Sequence, residues 1–291
     1  MRLDQLLVAG GWYESRERAQ AAILAGQVTV AGREAVKPGT LVAADVDVSV
    51  SGGARFVSRG GDKLAGALDR LELEVGCLVA LDAGSATGGF VDCLLQRGAA
   101  HVVAVDVGYG QLAWRLRGDE RVTVIERQNL RHLTPAMLKE RLPAGVAWPG
   151  LVTLDLSFIG LDKVLPAVRL LVEPGGLVLA LVKPQFEVGP RQVGKKGVVR
   201  RPELHRLALQ GVAAAAAASG FTAVGLTYSD LRGPQGNIEY FLLLRAARAG
   251  QEGAEGEPAQ LEKTGESTLT GAALEGAITA VVEAAWRALE A

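Results

Sequence analysis

The chain has 291 residues, of which 49% are hydrophobic, and its formal net charge is -1. This length suits one large or two unequal domains with a buried core, and the near-neutral balance excludes a global field that attracts polyanions. Cys77 and Cys93 both stand beside apolar runs, which favours buried free thiols in a reducing cytosol over a disulfide or a metal site.

The sequence predicts a cytoplasmic protein. Its N-terminus lacks the long apolar region and the cleavage site of a signal peptide. It also has no window of the roughly 18 to 20 apolar residues that span a bilayer.

A small α+β domain is predicted over residues 1–54. Leucines at helical spacing end at a glycine pair after residue 9, and a second helix is predicted from Arg16 to Leu24 with Ser15 as its N-cap. Strand-like runs follow at 27–30, 40–43 and 46–50. The stretch SRERAQAAILAGQVTVAG resembles the S4-type RNA-binding domain.

That resemblance implies that basic side chains of this domain contact RNA phosphates. The candidates are Arg16, Arg18, Arg33 and Lys37. Residues 1–60 hold seven Lys or Arg against six Asp or Glu, so the domain is only +1. Affinity must therefore come from local clustering of the cations, and the alternative is an ordinary solvated helix face.

A glycine-rich loop follows the first predicted strand of a larger domain, residues 55–245. In LVALDAGSATGGF, residues 78–90, the glycines stand at 84, 88 and 89, a spacing that differs from the dinucleotide fingerprint. The next apolar run ends in Asp106, where an acid accepts hydrogen bonds from a ribose diol. These features fit S-adenosylmethionine (SAM) as well as a dinucleotide, and a tight structural turn is the alternative.

Apolar runs and helical patterns alternate beyond this loop. Strands are predicted near 101–106, 121–125, 151–155, 176–183, 221–228 and 239–245, and helices near 88–97, 109–117, 134–142, 161–172 and 201–219. This alternation predicts an α/β fold, a doubly wound parallel sheet with helices on both faces. Asp155, Lys183 and Glu239 then lie at one edge of the sheet, although a single such charge is more often a surface ion pair.

Lys63, Asp155, Lys183 and Glu239 match the Lys-Asp-Lys-Glu tetrad of FtsJ-like ribose 2'-O-methyltransferases. The motifs SRGGDKL, LDAGSATGGF, LDLSFIGL, LVKPQFEVG and GPQGNIEYF are similar to the TlyA family, which is named for hemolysins and methylates ribosomal RNA (rRNA). One departure is Phe56, where some members carry tryptophan. The resemblance implies a Rossmann-like SAM methyltransferase that acts on a cytidine ribose, usually of large-subunit rRNA in members with this compact start.

The resemblance also implies roles for individual residues. Lys183 is expected to contact the ribose oxygen and to stabilise alkoxide charge, with Asp155 and Glu239 holding Lys183 and with Lys63 steadying the ribose or phosphate. The residues expected to bind SAM are Gly84, Ser85, Gly88, Gly89, Asp106, Asn129 and Asp155. No metal is required.

A basic stretch flanks the candidate lysine. Residues 183–206 carry seven Lys or Arg against two Glu, a balance of +5. We expect Lys195, Lys196 and Arg200, together with Arg59 at the start of a predicted helix, to dock RNA rather than to form only a solvated loop.

The tail divides into a flexible linker, predicted over 246–267 from its Gly, Glu and Ala content, and an amphipathic helix over 268–291 that docks on the sheet domain or on a partner. Two other functions stay open. One is an RNA-associated protein without catalysis, which the intact tetrad argues against, and the other is a membrane-active hemolysin, which the lack of a spanning or strongly cationic amphipathic helix argues against.

Overall fold

The computed structural model describes residues 1–13, 15–35, 37–50, 55–248 and 268–290. Its N-terminal unit contains the helices α1 (Leu3–Ala9) and α2 (Arg16–Leu24) and the strands β1 (Val28–Val30), β2 (Arg33–Glu34) and β3 (Val48–Val50). The strands form an antiparallel sheet in the order β2-β1-β3. The two helices are confirmed, and the Ser15 side chain accepts a hydrogen bond from the N–H of Arg18 at 3.3 Å, as expected of an N-cap.

The predicted strand at 40–43 is wrong. In this run only Leu41 makes a β contact, an isolated bridge with Arg2. This bridge joins Leu41 to the residue before α1, and the residues on either side of Leu41 lie in a loop. Leu3, Leu7, Ile23 and Val28 form a small buried core beneath the helices.

The larger unit is built on a seven-stranded sheet with helices on both faces. Its strands are β4 (Val79–Ala83), β5 (His101–Val105), β6 (Val122–Ile125), β7 (Leu151–Leu154), β8 (Leu177–Val182), β9 (Phe221–Tyr228) and β10 (Tyr240–Ala246). Its helices are α3 (Arg59–Arg70), α4 (Gly89–Gln96), α5 (Trp114–Arg117), α6 (Pro135–Arg141), α7 (Leu165–Leu171), α8 (Pro184–Glu187), α9 (Pro202–Ala218) and α10 (Gly271–Glu290).

The strand order is β6-β5-β4-β7-β8-β10-β9. The first five of these strands pair in parallel, but β10 runs antiparallel to both of its neighbours. The prediction of an all-parallel sheet is therefore wrong at this edge, because an apolar run identifies a buried strand without giving its direction. Two large apolar clusters cover the two faces of the sheet.

Two predicted helices are shorter than expected. The helix predicted over 109–117 is reduced to α5, because Gly110 takes a left-handed φ of 70° and its N–H donates to Glu126 instead of to a helical carbonyl. The helix predicted over 161–172 is a short 3-10 turn followed by α7, which restarts with Pro166 in its first turn.

The cysteine prediction holds for one residue of two. Cys93 is buried, and burial raises the pKa of its thiol to about 12. Cys77 is exposed, because its left-handed φ of 62° places it in a turn before β4.

The C-terminal helix α10 packs on α9 and β9, so it docks on the sheet domain. Of the predicted linker, residues 249–267 lie outside the described part of the chain. Across the described residues, no helix is both long and apolar enough to cross a membrane.

Candidate active site

A cavity of about 620 Å³ opens where β4, β5 and β7 end. Its wall includes four residues that the sequence assigns to SAM: Gly84, Asp106, Asn129 and Asp155. In a parallel sheet the strand ends lie beside one another, so residues far apart in sequence share this wall.

Gly84 is the close-packed point of the wall. Its φ of 86° is left-handed, and a Cβ at this position would overlap the backbone carbonyl of Asp155. Its N–H donates to the carbonyl of Val105 at 2.9 Å. Only glycine combines this conformation with this contact, so the backbone of the loop itself forms part of the cavity wall.

Asp106 is fixed by two backbone donors. Its carboxylate accepts from the N–H of Ala86 at 2.8 Å and from the N–H of Gly108 at 2.6 Å. Each bond occupies a different carboxylate oxygen, and each oxygen keeps a second lone pair. The carboxylate is therefore held at the cavity with remaining capacity to accept hydrogen bonds.

The other predicted cofactor residues have different surroundings. Asn129 uses its side-chain oxygen to accept from the N–H of Arg131 at 3.0 Å, which starts a 3-10 turn at the cavity. Ser85, within the loop, is buried. Gly88 packs on leucine side chains and Gly89 on the start of α3, so these two glycines serve close packing of the loop rather than the cavity wall.

Asp82 is a buried carboxylate directly below the loop. One oxygen accepts from the Thr153 hydroxyl at 2.7 Å, and the other has no hydrogen-bond partner among the described residues. Burial raises its pKa to about 7. The sequence predicts no role for this residue.

Lys183 follows β8 and lies against the cavity wall. Its ammonium is 2.7 Å from a carboxylate oxygen of Asp155 and donates to the Ser157 hydroxyl at 2.9 Å. The lysine side chain is 11% exposed. The sequence predicted the contact of Lys183 with Asp155 but not the one with Ser157. The position of Ser157, a polar residue two places after Asp155, could have indicated that contact.

Lys63 and Glu239 form a second, more deeply buried ion pair. Their side chains are 10% and 1% exposed, and the ammonium donates to the carboxylate at 2.5 Å. The expectation that Glu239 holds Lys183 is therefore corrected. Lys63, on α3, pairs with Glu239, and Lys183 pairs with Asp155, so each lysine has its own carboxylate.

The two pairs lie on neighbouring strands. Tyr240 pairs with Val182 across β10 and β8, so Glu239 and Lys183 each stand one residue beyond the last paired position at the same edge of the sheet. The structure thus places the four predicted residues, one from α3 and three from the ends of β7, β8 and β10, in two ion pairs at one edge of the sheet.

Phe158 was missed by the sequence analysis. Its side chain is 90% exposed, its φ is 63°, and it lines the cavity. Its ring lies 5.1 Å from that of Phe186, centroid to centroid. A left-handed backbone is unfavourable for a bulky residue, and such strain is concentrated at functional sites.

The model of the family described as FtsJ-like methyltransferase matches residues 56–246. The chain belongs to this family. An S4 domain model matches residues 1–48. The fold and the family-level prediction are thereby confirmed.

Several known proteins align with most of this FtsJ-like methyltransferase. The chain is 47% identical to Bacillus subtilis (strain 168) YqxC, named provisionally as an rRNA methyltransferase, over 87% of this chain and 89% of that protein. It is 48% identical to the 16S/23S rRNA (cytidine-2'-O)-methyltransferase TlyA of Mycobacterium tuberculosis, over 84% and 89%. A solved Streptococcus thermophilus protein, provisionally named a hemolysin, aligns with TM-score 0.69 and 35% identity over 100% of this chain and 97% of that one.

The predicted RNA-binding cations with described side chains are all exposed: Arg16, Arg18, Arg33, Lys37, Arg59, Lys196 and Arg200. Arg16 also lies 3.2 Å from buried Asp4, whose pKa is held well below its usual range mainly by Arg2. Arg59 donates to the carbonyl of Arg232 at 3.5 Å. Of Lys195 only the backbone is described.

Proposed function

We propose that the protein transfers the methyl group of SAM to a ribose 2'-hydroxyl of rRNA, on a cytidine of the large subunit. The observation that supports this most is the pair of buried lysine–carboxylate contacts beside the cavity. The TlyA relative is named for the same reaction on 16S and 23S rRNA, and the S4 domain model supports an RNA substrate.

The cavity fits SAM in three respects. The carboxylate of Asp106 keeps lone pairs for the ribose hydroxyls, and the turn at Gly84 lets a ligand lie against backbone. Asn129 stands at the wall where the adenine would be held. When bound, SAM supplies a sulfonium-activated methyl group.

The lysine that follows β8 is the group we assign to the reacting oxygen. A 2'-hydroxyl is a weak nucleophile, so the site must orient it and stabilise the negative charge that develops on its oxygen as the proton passes to solvent. The oxygen then takes the methyl group, and S-adenosylhomocysteine leaves as the neutral thioether. The ammonium of Lys183 provides a positive charge at low solvent exposure, and Asp155 and Ser157 fix its position. Lys63, held by Glu239, orients the ribose or its phosphate.

An exposed aromatic ring at the rim supports a nucleotide substrate. Phe158 lies on the same loop as Ser157 and faces solvent. Bases stack on exposed aromatic side chains, with about 1–3 kcal/mol per base. We infer that this ring receives the base whose ribose meets Lys183.

The test is methyl transfer from tritiated SAM to separated 16S and 23S rRNA, followed by alkaline hydrolysis. We expect label in an alkali-resistant dinucleotide of 23S rRNA, since 2'-O-methylation blocks cleavage at that linkage. Lys183→Met should lower kcat by about 100- to 1000-fold, the loss typical of removing one charge-stabilising donor.

Lys139→Met is the matched control, because Lys139 is exposed on α6. It should retain wild-type kcat. Label found only on bases, or full activity in Lys183→Met, would refute the proposed reaction, and label in 16S rRNA alone would refute the choice of subunit.

A further inference from the structure

The C-terminal helix α10 lies outside the match to the FtsJ-like family, which ends at residue 246. Ile278, Val282 and Ala285 dock it in the core that covers one face of the sheet. The last turn of the helix makes further contacts with polar groups, and these contacts lead toward the catalytic edge.

The first contact runs through a buried histidine. The Trp286 ring meets the ring of His205 edge-on at 5.4 Å. The Nε2 of His205 lies 3.0 Å from the carbonyl of Val199, which can only accept, so Nε2 carries the proton. Burial lowers the pKa of His205 and keeps it neutral, so its Nδ1 accepts from the Tyr240 hydroxyl at 2.9 Å. Tyr240 directly follows Glu239.

The second contact runs through the loop between β9 and β10. The guanidinium of Arg232 donates to the carbonyl of Leu289 in α10 and to that of Gly236 at 3.3 Å. Next along the chain, Gly233 lies so close to the carboxylate of Glu239 that a Cβ there would overlap it. One side of this loop therefore contacts α10, and the other contacts the buried carboxylate.

We propose that the last turn of α10 positions Glu239, and through it Lys63, for methyl transfer. Trp286 acts through His205 and Tyr240, and the carbonyl of Leu289 acts through Arg232. This inference rests on the proposed function.

The geometry explains why the position of Glu239 is sensitive to these contacts. Glu239 holds Lys63 at 2.5 Å, so displacement of the carboxylate also displaces the ammonium. Misplacement of a catalytic group by about 1 Å costs as much as 100-fold in rate. The cofactor cavity, by contrast, is lined by residues between Ala83 and Val164, so SAM affinity should not depend on α10.

The test compares three full-length variants: Trp286→Ala, Trp286→Phe and Arg287→Ala. Arg287 is the matched control, because it is exposed and its Nε donates within α10 to Glu283 at 3.4 Å. We expect Trp286→Ala to lower kcat about tenfold at saturating SAM and RNA. The affinity for S-adenosylhomocysteine, measured by calorimetry, should not change. Trp286→Phe should recover most of kcat, and Arg287→Ala should match the wild type.

Hydrogen exchange supplies a readout that does not need turnover. The N–H of Ser229 donates to the carbonyl of Glu239 at 2.9 Å, and the N–H of Gly233 donates to that of Asn237 at 2.9 Å. Both should exchange faster in Trp286→Ala than in Arg287→Ala. A wild-type chain that fails to methylate RNA would refute the proposed function, whereas the exchange result still tests the positioning.

If Trp286→Ala does not fold, as judged by lost S-adenosylhomocysteine binding, a chain ending at Trp286 replaces it. This chain keeps Ile278, Val282 and Ala285 in the core and lacks Leu289, both its carbonyl and its partly buried side chain. We expect about a threefold lower kcat and faster exchange at Gly233. Wild-type kcat together with wild-type exchange in the folded variant would overturn the proposal.

Discussion

Replacing Glu239 by glutamine should destabilise the folded protein by about 3–5 kcal/mol, because it leaves a buried ammonium without its carboxylate. The magnitude follows from the site: the ion pair is 2.5 Å long, and its side chains are only 10% and 1% exposed. A loss of about 3 kcal/mol lowers the Tm by about 6–12 °C in a domain of this size.

The double variant Lys63→Met with Glu239→Gln separates stability from catalysis. It removes the buried charge as well as its partner, so most of the lost stability should return. The kcat should stay low, because the proposed contact of Lys63 with ribose or phosphate is gone. Urea unfolding and methyl-transfer assays on the two single variants and the double variant measure both quantities.

Asp119→Asn is the control for this cycle. Asp119 pairs with Arg121 at 2.7 Å, but the two side chains are 22% and 46% exposed, so the expected cost is at most about 1 kcal/mol. A Glu239→Gln variant no less stable than this control, or a double variant as unstable as the sum of its singles, would refute the reasoning.

Three further predictions concern other parts of the chain. Gly84→Ala should abolish S-adenosylhomocysteine binding in calorimetry, because the new Cβ strains the left-handed backbone and overlaps the Asp155 carbonyl. Gly110→Ala should keep this binding, because Gly110 has a φ of 70° but open space around it. Equal binding by both variants would contradict this prediction. Asp82 has a pKa of about 7, above the roughly 4 of an unfolded chain. The folded state thus holds a proton that the unfolded chain has lost, so the contribution of Asp82 to stability should fall as pH rises from about 4 to 7, by on the order of 4 kcal/mol. Urea unfolding of Asp82→Asn should therefore show a flatter pH profile than the wild type, and an unchanged slope would argue against this. Arg33→Ala and Lys37→Ala should each weaken RNA binding and lower the slope of log K against log salt by about 1, and an unaltered slope would place these side chains away from phosphate.

The site was predictable where it depends on strand ends. Asp155 and Lys183 each follow an apolar run, and parallel strands bring such positions to one edge. The pairing of Lys63 with Glu239 was not predictable in this way, because it depends on how α3 packs. Ser157 and Phe158 depend on a loop whose backbone turns left-handed at Phe158, and the residue types alone do not give that turn.

Glycines show a second limit of the sequence. Gly84, Gly88 and Gly89 look alike in the loop, but the first lies on the cavity wall and the other two allow close packing of helices and side chains. Both uses require a missing Cβ, so only the surrounding structure distinguishes them. The helix α10 was predictable from the spacing of its apolar residues. Which elements its apolar face contacts, β9 and α9, could be learned only from the structure.

The reversed direction of β10 determines how the catalytic edge can vary. Because β10 is antiparallel to its neighbours, it begins at the edge where β8 and β9 end, and Glu239 directly precedes it at the end of the 229–238 connection. Lengthening that connection, which is the loop of the β9–β10 hairpin, would move an acid of the tetrad, whereas connections at the opposite edge of the sheet, such as the 174–176 turn before β8, could be extended without disturbing the chemistry. Insertions accumulated during divergence should therefore concentrate on the edge that faces away from the substrate.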